Sequence, residues 1–190
     1  MIKVENVNKS YGEHAVLRNL SHHFPKDRVT WITGASGCGK TTLLRLILGL
    51  ESPDSGRILG VPSGAIGCMF QEDRLLHGAS AYTNLQIVQR RGAYTRAAIE
   101  NALQSVGLEG CADQPVDEMS GGMRRRIALL RALLIDTELI VLDEPFKGLD
   151  EATKVLVRAF TAQRLQNKTA LIVTHDEEDI RTISGEILQL

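Results

Sequence analysis

Gly34-Ala35-Ser36-Gly37-Cys38-Gly39-Lys40-Thr41-Thr42 reads G-x-x-G-x-G-K-T-T, and it stands directly after the apolar, strand-like run Val29-Thr30-Trp31-Ile32 and before the helical run Leu43 to Leu50. Strand, glycine-rich turn, then helix is the setting in which this pattern becomes a phosphate site. The glycines let the backbone curl until successive N–H groups converge on phosphate oxygens. Lys40 has the reach for the β and γ oxygens, and the Thr41 hydroxyl is suited to Mg²⁺. The helix that follows adds the positive end of its dipole. The stretch predicts nucleotide binding, and it predicts an α/β fold, because it needs a parallel strand on one side and a helix on the other.

Working outward, short apolar runs of strand length alternate with helical patterns, as expected of a mostly parallel sheet covered by helices. The runs are Val29 to Thr33, Ala65 to Phe70, Leu139 to Leu142 and Ala170 to Thr174. The last three lead to a polar residue, namely Gln71, Asp143 and His175. Ligands of open α/β sheets gather at the carboxyl ends of the strands, so strand followed by polar residue is itself a site signal. Between Gln71 and Asp143 the pattern turns helical. Ile99, Leu103 and Val106 share one stripe that stops at Gly107, and Ile127, Leu130 and Leu134 share another. Ser52 to Gly56 reads as a turn. A last helix is expected from Asp150, as cap, burying Leu156 and Phe160.

Leu139-Ile140-Val141-Leu142-Asp143-Glu144-Pro145 delivers two adjacent carboxylates from a buried strand, and Pro145 stops that strand. Asp143 suits the Mg²⁺ shell and Glu144 the polarising of an attacking water. Ser120-Gly121-Gly122-Met123 precedes an apolar-periodic helix, a second place where a hydroxyl and glycine amides meet a helix N-terminus. By itself such a segment is more often an N-cap alone. Two phosphate sites with one catalytic carboxylate suggest a nucleotide shared between two subunits.

The bulk numbers exclude several classes. In 190 residues, 22 basic side chains face 23 acidic ones for a net charge of -1, so the basic footprint of a nucleic-acid binder is missing. The run Arg124-Arg125-Arg126 is the local exception, and its expected reading is a solvated helix face. No apolar run reaches the ~18 residues of a membrane span. Three cysteines at unrelated spacings fit reduced thiols in a cytosolic setting. Cys68 and Cys111 read as packing residues. Cys38 lies inside the phosphate loop, and its alkylation is expected to block nucleotide binding. A guanine-specific switch would need N-K-x-D, and Asn167-Lys168-Thr169-Ala170 lacks the aspartate.

Taken together and in this order, the motifs resemble those of the ATP-binding cassette (ABC) ATPases over nearly the whole chain. The resemblance implies one cassette over residues 1–190: a P-loop NTPase with a mostly parallel core sheet, an N-terminal antiparallel β region and a helical subdomain inserted at about 75–135. It places Tyr11 against adenine, Gln71 at the γ-phosphate and the metal, Asp150 in a loop that communicates across a dimer, and His175 as a switch beside the γ-phosphate. Glu144, His175 and Lys40 would be the catalytic groups, with Gly34, Ala35, Ser36, Gly37, Cys38, Gly39, Thr41, Thr42, Ser120, Gly121 and Gly122 binding ATP and with Thr41, Gln71 and Asp143 holding Mg²⁺. The implied assembly is a head-to-tail homodimer, closed by ATP on the inner face of the cell membrane. It would dock on a transmembrane permease and work indirectly with an extracytoplasmic solute-binding protein.

Phe70 to Leu76, Ser120 to Met123 and Asp143 to Phe146 are similar to importer cassettes, especially those for nitrate, sulfonate and taurine. Met123 replaces the glutamine of the commonest signature, and His77-Gly78 stands where Pro-Trp is frequent. A soluble relative acting on DNA or ribosomes is the competing expectation. It would usually bring tandem cassettes or a long coiled coil, and the sequence has one loop, one signature and no sustained heptads.

Overall fold

A computed structural model describes residues 1–89 and 94–190. Its elements run β1 (Ile2–Tyr11), β2 (His14–Phe24), β3 (Val29–Thr33), α1 (Lys40–Ile47), β4 (Ser55–Leu59), β5 (Ile66–Met69), α2 (Ala81–Gln86) and α3 (Arg96–Ser105). After a 3-10 turn at Val116–Glu118 come α4 (Gly121–Leu133), β6 (Leu139–Asp143), α5 (Glu151–Arg164), β7 (Thr169–Val173), α6 (Glu177–Thr182) and β8 (Glu186–Gln189). They form a five-stranded sheet in the order β5-β6-β7-β3-β8 and a three-stranded sheet in the order β2-β1-β4. The larger sheet is parallel at each of its four pairings, and the smaller is antiparallel at both.

Two cores explain why the central strands read as unbroken apolar runs. Leu139, Val141, Leu171, Val173 and Ile32 point to one side, where Leu43, Leu44, Leu46 and Ile47 of α1 meet Val4, Val7 and Phe24 of the small sheet. Their neighbours Ile140, Leu142, Ala170, Ile172 and Trp31 point to the other side, against Ile127, Leu130 and Leu134 of the α4 region and Ile99 and Leu103 of α3. A strand buried on both faces has no polar phase, so its period of two vanishes from the sequence. Trp31 is fully buried and donates its indole N–H to the Ile183 carbonyl at 2.9 Å.

β5 passes so close to α4 that a Cβ at Gly67 would collide with the Ala132 carbonyl oxygen. Only a residue without a side chain brings these two backbones together. The helices between β5 and β6 are thereby tied to the sheet through α4.

Some expectations are corrected. The helix after Asp150 is present, but Leu156 is 50 % exposed; the helix buries Val157, Arg158 and Thr161 instead, with Phe160 half-buried against the core. It is not the last helix, since α6 follows. The turn at Ser52 ends early, because Ser55 and Gly56 already belong to β4. The three-arginine run is not a solvated face: Arg125 is 8 % exposed, and each of the three donates to a main-chain carbonyl. No helix of the described residues is long and apolar enough to cross a membrane.

Candidate functional site

In the strand order β5-β6-β7-β3, four neighbouring strands end in sequence at Gln71, at Asp143-Glu144, at Thr174-His175 and at the glycine-rich loop. Parallel strands carry their carboxyl ends to one edge, so residues more than a hundred positions apart in the chain meet there. The result is a cleft of about 450 Å³ lined by Ser36, Gly37, Gly39, Lys40, Thr41, Thr42, Gln71, Asp143, Glu144, Lys147 and His175, with His14 and Val16 at its β2 side.

The loop owes its shape to its glycines. Gly39 caps α1 with φ 103°, and a Cβ there would lie 2.7 Å from Leu17 Cδ2 and 2.9 Å from Val16 Cγ1. An L side chain would meet both an unfavourable backbone region and β2. Lys40 follows as the first residue of α1, 7 % exposed, with Nζ donating to the Gly34 and Ala35 carbonyls at 2.8 Å each. Its stem packs in the fold while its ammonium stays on the loop.

Thr41 Oγ1 donates to Asp143 Oδ2 at 2.7 Å, joining the start of α1 to the end of β6. Burial pushes the Asp143 carboxyl above its ordinary range, against the opposing pull of the Thr41 hydroxyl. A carboxylate so placed is stabilised by a cation. The donors here are hard oxygens, one carboxylate and one hydroxyl, beside the carboxamide of Gln71. Such a set suits Mg²⁺, which is commonly held by one or two protein oxygens and completed by substrate phosphate and water.

Glu144 leaves the sheet with φ 51°, a left-handed conformation uncommon for a residue with a side chain. Its N–H donates to the Val173 carbonyl at 3.0 Å, and its carboxylate turns into the cleft. There Oε1 lies 3.1 Å from His175 Nε2 and Oε2 lies 2.5 Å from Lys147 Nζ. A carboxylate with a histidine on one oxygen and a cleft beside it can orient and polarise a water.

His175 is set by its own neighbours. Thr174 Oγ1 donates to Asp179 Oδ2 at 2.6 Å and accepts from the Asp176 N–H at 3.1 Å. Asp179 in turn pairs with buried Arg158 at 2.6 Å. The turn carrying His175 is therefore anchored to α5 and α6 rather than free.

Several sequence-named residues lie elsewhere. Tyr11 sits at the end of β1, 46 % exposed, with its hydroxyl bonded to Glu51. His14 and Val16, not Tyr11, line the cleft. Ser120, Gly121 and Gly122 open α4, where Ser120 Oγ accepts from the Met123 N–H at 3.2 Å, and none of them lines the cleft. Asp150 caps α5 through the Thr153 N–H and hydroxyl, which hold its carboxyl below the usual range, and it too is outside the cleft. Gly34, Ala35 and Cys38 belong to the loop but do not line the cleft. The cleft residues Lys147, His14, Val16 and Val173 were not foreseen as site residues. The position of Lys147 three residues after Glu144 was the available signal.

Known proteins bear on this arrangement directly. The family described as ABC transporter matches residues 17–147. The aliphatic sulfonates import ATP-binding protein SsuB of Rhodopseudomonas palustris (strain CGA009) is 36 % identical over 196 residues, covering 98 % of this chain and 69 % of that protein. The sulfate/thiosulfate import ATP-binding protein CysA of Mannheimia succiniciproducens is 34 % identical over 206 residues; the alignment covers 98 % of this chain but 58 % of that longer relative. Among solved structures, the dimeric form of MJ0796, a bacterial ABC transporter cassette, superposes with a TM-score of 0.85 at 29 % identity, covering all of this chain and 94 % of the other. With the phosphate loop, the paired carboxylates and the strand order in place, the chain belongs to the ABC transporter family, as one of its ATP-binding, ATP-hydrolysing cassettes.

Proposed function

We propose that this chain energises uptake of a small solute by binding and hydrolysing ATP on the cytoplasmic side of a membrane permease made of other subunits. The observation that carries the proposal is the meeting of Lys40, Thr41, Asp143, Glu144 and His175 around one cleft. Import rather than export rests on the relatives, which are named as import proteins. One group is named for sulfonates and the other for sulfate or thiosulfate at nearly equal similarity, so cargo choice belongs to other subunits, with a solute-binding protein acting outside the membrane.

In this reading residues 1–190 form one cassette whose helices between β5 and β6 make its subdomain. The loop amides from Gly34 to Thr42 hold the phosphates, with the adenine beside β1 and β2 near Tyr11. Lys40 exchanges its bonds with the Gly34 and Ala35 carbonyls for the β and γ oxygens. Thr41, Asp143 and Gln71 would hold Mg²⁺, which would neutralise charge on those oxygens. Glu144 orients the attacking water and takes its proton, and His175 holds the Glu144 carboxylate in place.

Ser120 to Gly122 and Asp150 lie outside this cleft, so their contribution comes from a second copy. Two chains pair head to tail, with each signature segment closing the partner's ATP. The dimeric state of the MJ0796 cassette supports this reading. ATP drives closure by its differential affinity for the closed pair, and hydrolysis removes that preference.

The test is gel filtration of Glu144→Gln with and without Mg-ATP, beside steady-state hydrolysis by the parent chain. ATP should convert the variant from monomer to dimer while turnover falls by about 10² to 10⁴. Turnover retained in the variant would exclude Glu144 as the base.

A further inference from the structure

We infer that Arg125 is a positioning residue that fixes the main chain of Glu144 to the Gln71 segment, so that the base, the Gln71 loop and helix α4 move as one unit. The inference rests on the role proposed above for Glu144 as the base.

The guanidinium of Arg125 spans two loops. Nη1 donates to the Gln71 carbonyl at 2.8 Å, and Nη2 donates to the Asp143 carbonyl at 3.0 Å and to the Glu144 carbonyl. It forms an ion pair with Asp73, whose Oδ1 lies 3.5 Å from Nη1. The Nε–H has no partner among the described residues. A buried guanidinium oriented for maximal satisfaction would not leave a donor unpaired. Both ends of this fork are directed instead at carbonyls of the residues that leave adjacent strands β5 and β6 for the cleft. A planar fork does this where a single ammonium would not.

Glu144 depends on such support because of its backbone. At φ 51° it stands outside the regular ladder, with its N–H bonded to the Val173 carbonyl of β7. Its carbonyl accepts a long bond from the Lys147 N–H at 3.3 Å within the turn. Arg125 adds a charged donor to that same carbonyl, and so holds the direction in which the carboxylate enters the cleft.

The Gln71 side of the fork is reinforced. Arg131 Nη2 donates to the Asp73 carbonyl at 3.0 Å, so residues 71–73 are fastened to α4 at two levels. Helix α4 begins at the Ser120-Gly121-Gly122 segment. A displacement at that end therefore reaches the Gln71 and Glu144 main chains through Arg125, without passing through the sheet.

The test compares Arg125→Gln, Arg125→Lys and Arg125→Ala with the parent chain by Mg-ATP hydrolysis, and measures nucleotide affinity by equilibrium binding of a fluorescent ATP analogue. Misplacing a catalytic group by about 1 Å lowers rates by up to about 10². Arg125→Gln and Arg125→Ala should lose about ten- to a hundredfold in kcat with KM and affinity within about threefold, and Arg125→Lys should recover part of the loss. In a Glu144→Gln background, adding Arg125→Gln should leave the residual single-turnover rate unchanged, because a residue acting through Glu144 has nothing left to position. Parental kcat in Arg125→Gln overturns the inference, as does an equal fold loss in both backgrounds or a loss of affinity that tracks the loss of rate. Parental turnover in Glu144→Gln alone would instead overturn the role given to Glu144.

Discussion

Lys147 Nζ lies 2.5 Å from Glu144 Oε2, on the opposite side of the carboxylate from His175 Nε2 at 3.1 Å from Oε1. The lysine side chain is 61 % exposed, whereas that of Glu144 is 12 % exposed. An exposed, hydrated ammonium in such a place is exchangeable and, while paired, occupies an oxygen that would otherwise face the attacking water. Lys147→Ala should leave stability within about 1 kcal/mol, since exposed pairs contribute little. Its kcat should stay level or rise a few-fold in steady-state hydrolysis assays. A tenfold loss would place Lys147 among the groups that serve the γ-phosphate.

His175→Ala removes the partner of the other oxygen, and this oxygen has no alternative donor among the described residues. Hydrolysis should fall by about 10² or less, a smaller loss than for Glu144→Gln, because orientation is impaired while the base remains. Binding of the fluorescent ATP analogue should be unchanged. If affinity falls in step with rate, the histidine serves nucleotide binding rather than the water.

The cysteines should separate by reactivity. Burial pushes the Cys68 thiol up to about 11, so at pH 8 only about one molecule in a thousand carries its thiolate there. Because the folded value is raised, reactivity should increase tenfold per pH unit up to about that value. A maleimide at pH 7 to 8 should spare Cys68 in the folded chain and label it after denaturation. Cys38 Sγ lies 3.8 Å from Lys40 Nζ, within the loop. Its alkylation should abolish nucleotide binding. Peptide mapping beside a binding assay reads both, and full binding after Cys38 modification would count against the loop geometry.

Gly67→Ala forces a methyl group toward the Ala132 carbonyl. Overpacking where backbone meets backbone costs about 1 to 3 kcal/mol or more. The midpoint of urea unfolding should drop accordingly. Because α4 must give way and carries Arg125, hydrolysis should fall by more than stability alone would explain.

Much of this site was legible because its central strands are buried on both faces. Leu139 to Leu142 and Ala170 to Val173 announce themselves as apolar runs, and a polar residue after such a run has to lie at the sheet edge. The small sheet was not legible at residue level. β1 has irregular register with both its neighbours, which scrambles the alternation that would mark a half-buried strand. Arg125 was missed because three consecutive arginines suggest solvent. A phase argument was available, since Ala128, Leu129 and Ala132 lie three, four and seven positions on and are all buried. Leu156 failed for the converse reason: on α5 the inward position belongs to Arg158, whose charge is matched by Asp179, and no apolar stripe predicts a buried ion pair.

The left-handed backbone at Glu144 sets chemistry against conformational comfort at a single residue. Glycine or asparagine would occupy that φ with less cost, while strain of this kind is typically about 1 to 3 kcal/mol. Selection for thermal tolerance alone would thus favour Glu144→Gly, and the more durable protein would be the inert one. Any programme that ranks variants of this chain by melting temperature will drift toward losing its turnover, and has to score hydrolysis alongside.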